Sequence, residues 1–379
     1  MRILHIGNEM SWRGGENQIR LLIEGLRKNS SAECFVAYPR ESRGFSKFSE
    51  LVKVGGPIGV LGLPSRRAFD PRNVSQLVAW CDKYKIDILD AQSSGGMSLA
   101  LKVKKKRPNL KVVVHRRVDN AIKKTWFTRR KYLSDSVDKF VCISKAISQI
   151  VKDYGVNENK IAVIESAVEE TPYLRLREGD LVSQKQLAKR NFVGASDPHD
   201  IVWFGNASAF TSQKGHDTLI RACAKLRDQN LRFLCWLAGD GPLLAATKRQ
   251  VDDFDLASHV RFIGHTNKVS ELLMALDILA VPSNNEGLGT ILLEGAFAGC
   301  ALVGSSVGGI PEIIIDQKTG YLVPPRDSDK LAEALGDLMA DSGLRQKLNL
   351  AARAHVRENF SVEHMVRGNQ KVYQSLLVR

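Results

Sequence analysis

The sequence predicts an α/β protein of two doubly wound domains, each built on a parallel sheet. Short apolar runs rich in Val, Ile and Leu alternate along the chain with segments of helical periodicity, the pattern of strands buried on both faces and joined by crossover helices. The 379 residues suffice for two domains of ordinary size, each with its own core. A charged, irregular stretch from about Ser166 to Pro198 interrupts the alternation and marks the boundary, giving domains at 1–170 and 195–359. No solenoid-period repeat or low-complexity segment is visible.

The first strand is Arg2-Ile3-Leu4-His5-Ile6-Gly7. A loop carrying Gly14 and Gly15 follows, then Ile19, Leu22, Ile23 and Leu26 at helical spacing, a strand–glycine loop–helix order that can cradle phosphate. No G-x-G-x-x-G follows this strand, which argues against a nicotinamide dehydrogenase. A β-branched strand, Leu110-Lys111-Val112-Val113-Val114, ends at His115 and is followed by Arg116, Arg117 and Asp119. Open α/β sheets bind ligands beyond the carboxyl ends of their strands, so His115 is a site candidate. Arg116 and Arg117 could meet an anionic acceptor or pair with Asp119 and solvent.

Within that boundary stretch, 181–193 is helical in composition and leads into the second domain. The strand Asp200-Ile201-Val202-Trp203-Phe204-Gly205 is followed by Asn206, a polar loop, and a helix start at Lys214-Gly215. Cys235-Trp236-Leu237-Ala238-Gly239-Asp240-Gly241 reads as strand then tight turn, and Val260-Arg261-Phe262-Ile263-Gly264 as another strand. Asp277-Ile278-Leu279-Ala280-Val281-Pro282-Ser283 is a buried parallel strand that ends in a loop.

That loop carries the chain's most specific chemistry. Glu286 and Glu294 stand eight apart, with Gly287, Leu288 and Gly289 directly after the first acid and a helix starting near Thr290, available as its cap. The acids offer acceptors for hydroxyls, and the intervening N–H groups and helix start suit an anion. A sugar nucleotide presents both.

With this Glu-x7-Glu element the chain resembles family 4 of the retaining glycosyltransferases, whose GT-B fold has two facing Rossmann-like domains. The resemblance covers nearly the whole chain. It implies that Glu286 contacts the donor sugar, that Gly287, Leu288, Gly289 and Thr290 contact sugar and diphosphate, and that Glu294 holds the ribose. It also puts Gly14 and Gly15 over the diphosphate, His115 on the sugar, Lys214 on the leaving group, Gly239 near phosphate and sugar, and Ile263 near the base. The tail, Phe360 to Leu377, resembles the last helix of the family, which adds about 360–379 to the first domain. Two departures stand out. Asn206 follows Gly205 where relatives carry Arg, and a neutral amide cannot replace a guanidinium fork. Glu165-Ser166-Ala167-Val168 stands where an Asn-Gly-Val turn is usual.

The implied reaction retains the anomeric configuration, with Glu286 positioning the sugar and the departing diphosphate stabilised by N–H dipoles and Lys214. These segments carry no Asp-x-Asp triplet, so the expected site has no metal and no cofactor. The donor is expected to be a UDP- or GDP-sugar, and the acceptor a glycan or lipid-linked sugar of the cell envelope or lipopolysaccharide. The residues leave two rivals open, a nucleotide-sugar epimerase and a non-catalytic lipid or polyanion binder.

Charge is uneven. Residues 1–150 hold 29 basic and 13 acidic side chains, within a chain of net charge +14. Lys123, Lys124, Arg129, Arg130 and Lys131 interleave with Trp126, Phe127 and Tyr132, a composition that suits an anionic membrane surface. No nucleic-acid motif accompanies the charge. No run of 18 apolar residues is present, no secretory leader is expected, and the six cysteines lack zinc or redox spacing. The expectation is a cytoplasmic protein at the inner membrane face, of unspecified oligomeric state.

Overall fold

The structure, a computed structural model, describes residues 1–12, 14–174, 181–193 and 201–377. It divides into two compact units, Met1–Ala167 with Val362–Arg379, and Val168–Ser361. Parts of the sequence-drawn boundary, residues 175–180 and 194–200, lie outside the described residues, as do Arg13 and Asp200.

The first unit is a seven-stranded parallel sheet. Its strands are β1 (Arg2–Ile6), β2 (Glu33–Pro39), β3 (Gly59–Leu63), β4 (Ile88–Ala91), β5 (Lys111–Arg116), β6 (Lys139–Cys142) and β7 (Ile161–Val163). Their order is β3-β2-β1-β4-β5-β6-β7, so the winding reverses between β1 and β4. Such a reversal opens a crevice at the carboxyl edge of a sheet. The registers Ile3↔Ile88 and His5↔Asp90 set those two strands side by side.

Helix Gly14–Asn29 buries Ile19, Leu22, Ile23 and Leu26 on one face, the i, i+3, i+4, i+7 stripe of an amphipathic helix. Helix Val362–Leu377 packs on it as part of the first unit. Gly25 permits the approach, since a Cβ there would lie 2.3 Å from Val366 Cγ2. Val366, Val372 and Tyr373 join Ile3, Ile88 and Val113 of the sheet in one core.

The second unit repeats the scheme with six parallel strands, β8 (Val202–Ala207), β9 (Phe233–Ala238), β10 (Val260–Gly264), β11 (Ile278–Val281), β12 (Ala301–Ser305) and β13 (Tyr321–Val323). The order β10-β9-β8-β11-β12-β13 places its reversal between β8 and β11. Phe204, Leu237, Ile278 and Val303 line its core with Leu219, Leu226 and Leu335 from the covering helices. Helix Leu181–Val193 belongs to this unit.

All six cysteines are buried and free. Among the described residues no helix is long and apolar enough to cross a membrane.

Candidate functional site

In the second unit the site is built from the loops that follow β8 and β11, the two strands at the winding reversal. The backbone zips these loops together: Asn284 N donates to Gln213 O at 2.8 Å, and the Asn284 amide to Ser212 O at 2.7 Å. Gly215, at φ +64, passes so close that a Cβ would lie 1.9 Å from Pro282 O, a conformation and clearance only glycine meets. Lys214 and Glu286 are thereby brought together, with Nζ 2.5 Å from Oε2. Ser283 Oγ donates to the same carboxylate oxygen at 3.2 Å. The loop after β12 backs the acid from behind, with Gly309 N donating to Glu286 O at 3.2 Å.

Gly287, Leu288 and Gly289 are buried, and helix Thr290–Phe297 begins after Gly289 at φ +90. This corrects the expected cap: Gly289 is the N-cap, Thr290 is the first helical residue, and no side chain caps the turn. A left-handed corner at Gly289 leaves no room for the extended backbone of a threonine cap. Glu294, one turn on, accepts from the Tyr173 hydroxyl at 3.0 Å. Burial raises its pKa, against the lowering effect of that hydrogen bond.

The loop between Asn206 and Lys214 is less polar than its composition suggests. Phe210 is fully buried within it and stacks on His216 at 4.1 Å between ring centroids. Burial, reinforced by the Lys214 charge, pushes His216 down to about 4, so it is neutral at pH 7. Asn206 is 1% exposed and gives its amide to Ala280 O at 2.7 Å, tying β8 to β11. Its side chain holds the sheet where relatives' Arg is expected on the diphosphate. Gly239, at φ +135, lies against the loop, since a Cβ would fall 2.0 Å from Ser208 O. Ile263 is the residue skipped where β10–β9 pairing shifts between Phe262 and Gly264.

In the first unit, Gly14 and Gly15 do not form a loop. They are the first turn of helix Gly14–Asn29, with open space at Gly14 and Arg117 Cδ 3.8 Å from a Cβ placed on Gly15. A helix start without side chains leaves its N–H groups approachable by an anion. His115 is 5% exposed, and its Nε2 lies 3.1 Å from Asp90 Oδ1. Arg116 is buried, donating to the Tyr132 hydroxyl at 2.8 Å and to Asn120 O, which removes it from any surface patch. Arg117 donates to Gln92 Oε1 at 2.6 Å. The sequence reading missed Asp90, His5, Gln92 and Tyr373. An acid at the end of an otherwise apolar strand was the available signal for the first.

A cavity of about 1060 Å³ opens at the carboxyl ends of β1 and β3, lined among others by Asn8, Ser11, Arg66, Arg67 and Phe69. Elsewhere on this unit Trp126 and Phe127 are 62% and 74% exposed at the start of helix Trp126–Tyr132. Arg130 lies over the Trp126 ring at 5.2 Å, Lys124 and Arg129 line a small pocket with Trp126, and Lys123 precedes them in the chain, all exposed.

Two Asp-x-Asp triplets do occur, Asp253-Phe254-Asp255 and Asp327-Ser328-Asp329, away from the segments singled out above. Asp327 caps helix Ser328–Ala340 and Asp329 pairs with Lys225. Among the described residues no group of three His, Cys, Asp or Glu could hold a metal.

Residues 12–171 match the family model described as Glycosyltransferase Family 4, and residues 196–355 the one described as Glycosyl transferases group 1. Each unit thus matches its own glycosyltransferase domain model, Family 4 for the first and group 1 for the second. N-acetyl-alpha-D-glucosaminyl L-malate synthase of Bacillus anthracis is 32% identical over 171 residues, 45% of this chain and 44% of that protein. An uncharacterized glycosyltransferase of Methanocaldococcus jannaschii is 30% identical over 259 residues, 68% of this chain and 64% of that protein. The chain thus spans less than two thirds of the length of either curated relative. Among solved structures, a glycosyltransferase from Rickettsia africae superposes with a TM-score of 0.83 at 22% identity, covering 99% of this chain and 98% of that one. HepE of Anabaena, in complex with UDP and glucose, gives 0.81 at 18% identity over 99% and 100%. These two likenesses concern the fold.

Proposed function

We propose that the protein is a retaining glycosyltransferase that moves a sugar from a nucleotide-sugar, a UDP- or GDP-sugar, to a glycan or lipid-linked acceptor of the cell envelope. The observation that carries this reading is the grouping of Lys214, Glu286 and Glu294 around one glycine-rich turn and helix start at the winding reversal of the second unit. Lys214 and the helix start meet the diphosphate, Glu286 orients the sugar hydroxyls, and Glu294 takes the ribose. The departing diphosphate gathers negative charge as the anomeric C–O bond breaks, and positioned dipoles and a cation stabilise it without reorganising. No metal or cofactor is needed in this account.

The first unit takes the acceptor. Arg66 and Arg67 beside the cavity after β1 and β3 suit an acceptor bearing phosphate or carboxylate. The exposed Trp126 and Phe127 within their basic surround suit an anionic lipid surface, each well-placed cation adding about 1 kcal/mol. Relatives act on comparable chemistry: one is a GDP-mannose-dependent phosphatidylinositol monomannoside mannosyltransferase of Mycolicibacterium smegmatis.

The test is to incubate the protein with UDP- and GDP-sugars, with and without an extract of envelope lipids and glycans, and to follow the donor and its products by NMR. The reading expects one donor to be consumed only with acceptor, giving a product of the donor's own anomeric configuration. Conversion of the donor without acceptor to an isomeric nucleotide-sugar would establish an epimerase instead.

A further inference from the structure

Asp90 is 0% exposed, at the middle of the first sheet, and its carboxylate is surrounded. Oδ2 accepts from His5 Nδ1 at 2.7 Å, from Gln92 Nε2 at 2.6 Å and from the Tyr373 hydroxyl at 2.7 Å. Oδ1 lies 3.1 Å from His115 Nε2, off the line of a well-formed hydrogen bond, and neither of these buried atoms has another hydrogen-bond partner, so a bare Nε2 would face the carboxylate oxygen lone pair to lone pair. The arrangement follows from the strands. His5 pairs with Asp90 across β1 and β4, and Val113 pairs with Asp90 across β4 and β5. His115, two residues beyond Val113, falls on the same face because side chains alternate with a period of two. Tyr373 reaches the carboxylate from helix Val362–Leu377.

Burying a carboxylate this deeply is costly unless it is fully hydrogen-bonded, so a packing role alone would be served better by an apolar residue. Burial by itself would lower His5, but its bonds to Asp90 and Cys34 carry it up to about 9. Burial raises Asp90, and the two histidines overcome this and hold it well below the usual carboxylate range. Burial outweighs the Asp90 charge at His115, whose pKa is lowered. The group at neutral pH is therefore one imidazolium, one carboxylate and one neutral imidazole. A neutral imidazole has one N–H and one bare nitrogen, and its partner decides which is which.

We propose that Asp90 is a positioning residue that fixes the His115 proton on Nε2, leaving Nδ1 as an acceptor for a hydroxyl of the bound sugar. This rests on the reading above that His115 meets the donor sugar. Through Gln92 the same carboxylate also holds Arg117, whose side chain passes the Gly15 helix start, so one buried acid sets two groups at the carboxyl edge of the sheet.

Asp90→Asn tests it without changing the shape of the side chain. Three donors converge on Oδ2, so the amide oxygen must take that place and the NH2 must face His115 Nε2. The imidazole then has to accept at Nε2, and its proton moves to Nδ1, the wrong tautomer for accepting a hydroxyl. The readout is ¹⁵N NMR of histidine-labelled protein, with the His115 signal among eight assigned by its loss in His115→Gln. Wild type should carry the proton on Nε2 and Asp90→Asn on Nδ1, whereas Tyr373→Phe, which keeps the carboxylate, should keep the Nε2 proton. In parallel, Asp90→Asn should raise Kd for UDP-glucose or GDP-mannose about tenfold or more, as expected when one buried hydrogen bond becomes an unpaired donor. Kd for the corresponding nucleoside diphosphate, which has no sugar to be read, should change less than about twofold by the same reasoning.

An Nδ1 proton in wild type overturns the proposal, whether or not Asp90→Asn folds. Equal loss of diphosphate and sugar-nucleotide affinity overturns it too, because a general collapse of the sheet edge would then explain the effect. Should wild type bind no nucleotide-sugar, the functional reading fails, and the wild-type tautomer still decides the role of Asp90.

Discussion

The Lys214 ammonium lies 2.5 Å from the Glu286 carboxylate, so the cation proposed for the leaving group and the first acid of the Glu-x7-Glu element are held as a pair. A diphosphate drawing the lysine away would free the carboxylate for sugar hydroxyls, and ligand binding and acid activation become one event. Charge-assisted hydrogen bonds are worth roughly 1.5–3 kcal/mol, so Lys214→Ala should weaken nucleotide-sugar binding by about ten- to hundredfold. Equilibrium titration checks this. Binding within twofold of wild type would mean that the lysine serves only the pair.

Gly215 and Pro282 O are the contact that sets the Lys214–Glu286 distance. Gly215→Ala combines a positive φ with a Cβ 1.9 Å from that oxygen, so the two loops must part. The expected cost is about 2–4 kcal/mol in denaturant unfolding, the range of substitutions that strain a special backbone position. Nucleotide-sugar binding should be lost even where the protein remains folded.

Glu294 is strained by its burial. A carboxyl whose folded pKa is raised favours the folded state most below its unfolded pKa, and that advantage is lost as pH rises through the folded value. Glu294→Gln removes the charge and should raise the thermal midpoint of the unliganded protein at pH 7. The gain should shrink as pH falls toward the ordinary value of 4.5. Melting curves from pH 4 to 8 show this as converging midpoints. A midpoint lowered at neutral pH would mean that the Tyr173 bond outweighs the desolvation.

Trp126 and Phe127 stand exposed in a segment that also exposes Lys123, Lys124, Arg129 and Arg130. Trp126→Ser with Phe127→Ser, or Lys123→Glu with Lys124→Glu, should cut binding to phosphatidylglycerol vesicles by tenfold or more, at about 1 kcal/mol for each charge, and leave the thermal midpoint in place. Vesicle sedimentation at two salt concentrations reads both the loss and its ionic-strength dependence.

Much of this architecture was readable from the chain. The run 277–283 is apolar without alternation because β11 is covered on both faces, and the Glu286–Glu294 spacing is local, so both survive in one dimension. The polar network around Asp90 does not. Its members lie on β1, β4, β5 and the last helix, with His5 and Tyr373 85 and 283 residues from Asp90, and only the fold brings them together. Tyr173 meets Glu294 across 121 residues for the same reason. Arg116 misled because a run of basic residues reads as surface, whereas its place in β5 turns it inward to Tyr132. Thr290 misled because a threonine before helix formers signals a cap, while the left-handed corner at Gly289 had already started the helix.

In the proposed function the second unit binds a nucleotide-sugar through Glu286 and Glu294. Calorimetric titration of the protein with UDP-glucose, GDP-mannose and ADP-glucose, repeated with Glu294→Ala, tests it most directly. Saturable binding of one nucleotide class to wild type is expected, with its loss, by tenfold or more, in the variant, since the ribose hydroxyls would lose a charged acceptor worth roughly 1.5–3 kcal/mol. Absence of binding by all three, or equal binding by wild type and variant, would contradict it.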